Sequence, residues 1–244
     1  MQLHTMASWA FCWSLPVHTG KEVLAISLRW VHFVAGIAWV GLIYFFTLVN
    51  GRFMKQVEAA DKPKVFKDLT LPALQLVRWS ALVTVFVGLW YWAEIFVAAD
   101  AHAAGKNPWP TVGLFLLIWV VAWHIYFAIV RRSPNPWLLA AIVILLVSAA
   151  SWVFVNYTPV GGDDNRVLCI GVGGGMGMMM VFNVWGIVWR NNKKIITGML
   201  AGAPPENAAK LAREAFLALW TNFYLSFPLL FFMGAASHFP IFGS

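Results

Sequence analysis

The chain is 244 residues long, 61% hydrophobic and only 11% charged, with a formal net charge of +7. Soluble domains run at about 45–50% apolar and about 25% charged residues, so a water-soluble fold is excluded and the bilayer is the solvent. The Lys and Arg residues cluster in particular connections between apolar runs, which reads as membrane topology and argues against nucleic-acid binding.

In chain order, residues 1–22 carry no basic n-region and no A-x-A cleavage pattern, and Pro16 and Gly20 interrupt them. They are expected to form an interfacial N-terminal segment on the outer surface. Residues 23–244 form a single transmembrane domain. Its spans are predicted over 23–50, 72–99, 111–130, 137–157, 166–189 and 217–238, each long enough at 1.5 Å per residue to cross a hydrocarbon core of about 30 Å. Lipid-exposed backbone must satisfy its own hydrogen bonds, and runs without period-two alternation do so as helices. The fold class is therefore an all-α integral membrane protein, a bundle of six transmembrane helices.

Orientation follows from the basic residues. Arg52, Lys55, Lys62, Lys64 and Lys67 lie between spans one and two; Arg131 and Arg132 lie between three and four; Arg190, Lys193, Lys194, Lys210 and Arg213 lie between five and six. The other side has only Lys21, Lys106 and Arg166. The positive-inside rule puts these basic connections in the cytoplasm and both termini on the outer side of a bacterial inner membrane. Cys12 and Cys169 both fall outside, which leaves open either a disulfide or two free thiols. The fifteen Trp residues suit the water–lipid boundary and, in part, the bundle interior.

An ionisable side chain near mid-span costs ~2.5–3.5 kcal/mol on insertion scales, so each asks for a reason. Arg29 and His32, three apart on one face of span one, share the outer half with Glu94, Asn156 and His238. A redox cofactor site, a proton path or an anion pocket would suit such a set. The inner half holds Arg78, near enough to the boundary to snorkel, with His124, Asn183 and Asn222. Two histidines from different helices can clamp a b-type haem without any covalent attachment motif; the alternative for each is an interhelical hydrogen bond. Span five contains Gly171, Gly173, Gly174, Gly175 and Gly177, small residues that let a helix, or a flat tetrapyrrole, come close, with helix packing the stronger expectation.

Span one, LRWVHFVAGIAWVGLIYFFTLVN, with its Arg29-Trp30-x-His32 start, resembles the opening membrane helix of the bacterial membrane-bound urate oxidase (urate hydroxylase) family. FNVWGIVWRNNKKIITGMLAGAPPENAAKLAREA resembles that family's Asn-Val helix, basic turn and A-G-x-x-P stretch, and FYLSFPLLFFMGAASHFP resembles its closing segment. The likeness is good at both ends and loose from about 80 to 160. It implies a membrane oxidoreductase whose electrons leave through a cytochrome c, fused at the C-terminus in typical members. This sequence ends at Ser244 without such a domain, so the expected acceptor is a separate cytochrome or a respiratory complex subunit. His32, Asn183 and His238 fall on family motif positions; His124 matches none.

The expected function is a membrane redox protein of the urate-oxidase type. A haem b on His32 with His238 or His124 as iron ligands would carry the electrons, and Arg29 would hold a propionate or an anionic substrate such as urate. The alternative is a non-catalytic or electron-relaying subunit of a larger respiratory or photosynthetic membrane complex. A transporter ranks last, for want of broken helices in matching halves.

Overall fold

In a computed structural model, residues 19–132 and 135–242 are described. Six helices in this set are long and apolar enough to span: α1 Gly20–Gln56, α2 Lys62–Ala103, α3 Trp109–Val130, α4 Pro136–Tyr157, α5 Asn165–Leu200 and α6 Ala208–Ala235. No strand occurs among the described residues. The expected N-terminal segment over 1–22 lies almost wholly outside them, as does Cys12.

The helix starts are written locally. Thr19 and Glu22 form a reciprocal capping box on α1. Asn135 accepts from the backbone N–H groups of Trp137 at 2.9 Å and Leu138 at 3.4 Å, and Asp164 does the same for Arg166 and Val167 at 2.6 and 3.3 Å, satisfying donors that have no partner inside a first turn.

Several spans are longer than predicted. α1, α2 and α5 run on past the apolar stretches into the basic connections. π-helical turns interrupt these three helices at Phe45–Asn50, Phe66–Thr70, Trp92–Val97 and Val184–Trp189. Bonding from i to i+5 widens a turn without ending the helix, and so re-aims the residues that follow it.

α5 is the axis of the bundle. Its most apolar window is 83% buried, against 17% for α1 and 39% for α6, and it packs against α2, α3, α4 and α6. α1 packs chiefly on α2 and lies at the edge. The glycines of α5 explain its place. A Cβ at Gly171 would overlap the Phe154 ring of α4, one at Gly175 would overlap the Trp119 indole of α3, and one at Gly186 would come 2.9 Å from Trp123. On another face, Gly173 leaves room for the Leu229 carbonyl, 3.2 Å from where a Cβ would stand, and for Phe232 of α6. Aromatic rings and a neighbouring backbone fill the space that the glycine run opens.

Each missing methyl is thus a seat for a ring, and overpacking such a seat costs typically ~1–3 kcal/mol. Gly175→Ala is expected to lower the thermal unfolding midpoint of the purified protein clearly. Gly41→Ala, where nothing lies within 4 Å of an added Cβ, should leave it level or slightly raised.

Candidate functional site

α5 and α6 meet through buried polar side chains at one point. Asn183 of α5 and Asn222 of α6 are both fully buried, at 0% exposure. Asn183 Nδ2 donates to Asn222 Oδ1 at 2.9 Å, and Asn222 Nδ2 donates to the Met180 carbonyl at 3.0 Å. Trp123 of α3 donates its Nε1–H to Asn183 Oδ1 at 3.0 Å. Three helices are joined through one amide pair. Nearby on α6, Thr221 accepts from the Tyr126 hydroxyl at 3.1 Å and Ser226 meets the Tyr44 hydroxyl at 3.0 Å. In lipid such bonds set register, because an unpaired amide has no water to turn to.

Toward the end that carries the basic connections, Arg78 of α2 is half-buried among indoles. Its guanidinium carbon lies 4.1 Å from the Trp189 ring centroid, 4.9 Å from Trp185 and 5.1 Å from Trp79. Trp185 also donates to the Arg78 carbonyl at 3.0 Å. Arg78, Trp189, Lys67 and Lys193 line a cleft of about 400 Å³.

The opposite end holds a larger cleft, about 940 Å³, lined by Asp100, Lys106, Asp164, Asn165, Arg166 and His238 among others. Arg166 pairs with Asp164 at 2.8 Å and lies over the Phe96 ring at 5.1 Å. Partial burial pushes the Asp164 carboxyl up, but the Arg166 side chain and the backbone N–H groups of Arg166 and Val167 outweigh it and hold Asp164 below the ordinary carboxylate range. Asn165 fastens the cleft wall. Its Nδ2 donates to the carbonyls of Ala236 at 3.1 Å and Phe239 at 2.8 Å, and its Oδ1 accepts from the backbone of Ile241 at 2.8 Å and Phe242 at 3.1 Å. Cys169, buried one turn below, donates to the same oxygen at 3.3 Å. Sequence reasoning passed over Asn165, because a polar residue opening a helix looks like an ordinary surface group.

The residues singled out from sequence occupy separate settings. His32 is half-buried between α1 and α2, its Nδ1 2.8 Å from the Thr84 carbonyl, and a Cβ on Gly88 would lie 2.5 Å from its ring. A carbonyl only accepts, so Nδ1 carries the proton and Nε2 keeps its lone pair, the form in which a neutral imidazole binds a metal. His124 bonds the Val120 carbonyl of its own helix at 2.7 Å and is exposed on the outward side of α3. His238 is exposed just past α6 and lines the larger cleft. Arg29 is exposed, with its guanidinium carbon 5.4 Å from the Tyr91 ring centroid, and Glu94 is exposed on α2. Of the outer set of Arg29, His32, Glu94 and His238, only His238 lines that cleft. Among the described residues, no group of three or more His, Cys, Asp or Glu is placed to hold a metal ion.

Comparison with known proteins gives one match. A family model described as "Urate oxidase N-terminal" fits residues 73–244, from within α2 through the centre to the end of the sequence. The matched stretch leaves out α1, where the resemblance placed Arg29 and His32. No curated protein and no solved structure matches.

Two outcomes follow from this geometry. Asn222→Leu strands the Asn183 amide and is expected to cost about 1–3 kcal/mol; Asn183→Leu combined with Asn222→Leu should cost less than the sum of the single changes, as a double-mutant cycle on unfolding midpoints would read. The lowered Asp164 pKa means its stabilising contribution is full above the ordinary carboxylate value of 3.8 and is lost as pH falls through the lower folded value. An acid titration of stability should therefore show a drop in that window that Asp164→Asn removes.

Proposed function

Since this chain belongs to the urate oxidase N-terminal family, we propose that it is a membrane-embedded redox protein of the urate-oxidase type, passing electrons by way of a b-type haem to a separate cytochrome c or respiratory subunit. The observation that carries the reading is His32, whose ring is locked by the Thr84 carbonyl with Nε2 left as a ligand nitrogen. The haem, when bound, supplies a one-electron couple whose potential depends on its axial ligands and surroundings.

The chain's own residues do the rest. Thr84 fixes the tautomer and plane of His32. Arg29, on the same face of α1, offers a forked guanidinium whose paired, charge-assisted hydrogen bonds suit a propionate or a planar anion such as urate. Tyr91 steadies that guanidinium through its ring face. The fit to haem is one-sided. His124 has the same ligand-ready tautomer but turns away from the bundle, and His238 lines the larger cleft, so a second histidine ligand from either one would need a neighbouring chain or a rearranged end of α6. By the positive-inside rule the connections rich in Lys and Arg face the cytoplasm of a bacterial inner membrane. Both termini and the cleft around His238 then open outward, where a soluble cytochrome docks.

One observation favours the second reading, a non-catalytic or electron-relaying subunit of a larger respiratory or photosynthetic complex. α1 is the least enclosed span, with Trp30, Phe33 and Ile37 exposed by 67, 61 and 72%, a face that another membrane subunit can cover as readily as lipid.

The reduced-minus-oxidised spectrum of the purified full chain tests the first reading. A b-type band is expected, absent in His32→Ala and retained in Arg29→Gln with a shifted midpoint potential. If no band appears and urate fails to reduce an added cytochrome c, the redox reading is lost; stoichiometric subunits that copurify through mild detergent would then establish the second.

A further inference from the structure

The cage around Arg78 has a feature that helix packing does not use. The guanidinium lies against three indole rings, yet the Arg78 Nε–H is buried without a hydrogen-bond partner among the described residues. Ring faces attract a cation but leave in-plane N–H groups unbonded. The cleft that Arg78 lines also receives Lys67 from the start of α2 and Lys193 from the far end of α5, and no carboxylate is among its lining residues. Three cations thus converge on about 400 Å³ at the rim of the hydrocarbon, where the local dielectric makes an uncompensated charge costly. An anion relieves all three at once.

The surroundings specify which anion. Beside the cleft, and toward mid-membrane along α2, Leu76 and Trp79 are exposed by 53 and 47%, so the polar end of the site continues into an apolar wall facing the bilayer. We propose that this cleft holds the phosphodiester headgroup of an anionic membrane lipid, with its acyl chains lying along Leu76 and Trp79. The guanidinium, preset by its three indoles, supplies fixed donors to the phosphate oxygens, and Lys67 and Lys193 close on it as point charges. Basic pockets between spans on the basic side of a membrane protein take lipid headgroups in this manner. The bound lipid bridges α2 and α5, the pair already tied by the Trp185 bond to the Arg78 carbonyl.

The test uses the full chain reconstituted in phosphatidylcholine bilayers with or without phosphatidylglycerol, extracted in mild detergent and weighed intact by native mass spectrometry. Phosphatidylglycerol should stay bound under conditions that strip phosphatidylcholine. K67Q and K193Q alter exposed side chains, leave the fold in place, and should each weaken retention a few-fold. R78K keeps the charge but loses the forked donors, and should weaken it further. Equal retention of the two lipids, or unchanged retention in the K67Q/K193Q double variant, would overturn the proposal. So would inorganic phosphate raising the unfolding midpoint of the delipidated protein as far as phosphatidylglycerol does, since the site would then belong to a soluble anion.

Discussion

The amide pair of Asn183 and Asn222 is the constraint on which the arrangement of the bundle turns. Apolar packing alone leaves a transmembrane helix free to slide or rotate against its neighbours at little cost, because lipid is as apolar as leucine. A fully enclosed amide removes that freedom. Asn183 accepts from Trp123 while donating to Asn222, and Asn222 donates in turn to the Met180 carbonyl, so one height and one rotation of α3, α5 and α6 satisfy every bond. The glycine seats for Phe154, Trp119 and Trp123 act in the same sense, since each ring finds its recess only in that register.

Both ends of the molecule inherit their shape from this alignment. With α5 fixed, Asn165 at one end meets the backbone after α6, and Trp185 and Trp189 at the other meet Arg78. The π-helical turn from Val184 to Trp189 directly follows Asn183 and carries two of the cage indoles, Trp185 and Trp189, so one continuous helix makes both sets of contacts.

The number and placement of the spans were legible in the sequence because run length and charge are one-dimensional properties. Counting residues also grouped Asn183 with Asn222 in one half of the bundle, and the two side chains pair. What counting does not give is the direction a side chain takes around its helix. His124 shows the point. Phe115, Trp119, Ala122, Tyr126 and Val130 are buried and recur every three or four residues, which defines the inward face of α3. His124 lies midway between Ala122 and Tyr126 and so faces out, a signal present in the spacing. The partnership of Asn183 with Asn222 had no such signal, since depth matches many polar residues and only the packed helices select one. The continuation of α5 to Leu200 was masked by its polar composition, which reads as a loop although its backbone bonds are those of a helix.

The unequal sheltering of the helices has a consequence for how the molecule comes apart. α5 is shielded on nearly all sides, whereas α1 leans mainly on α2 and gives most of its surface to the surrounding solvent. A detergent that wedges between helices meets the α1 contact first, and the glycine-seated axis last. Loss of the outermost helix would carry off the His32 lock on Thr84 while the amide pair stayed whole, so a preparation can keep its overall helicity and its core and yet have lost the contact that orients His32.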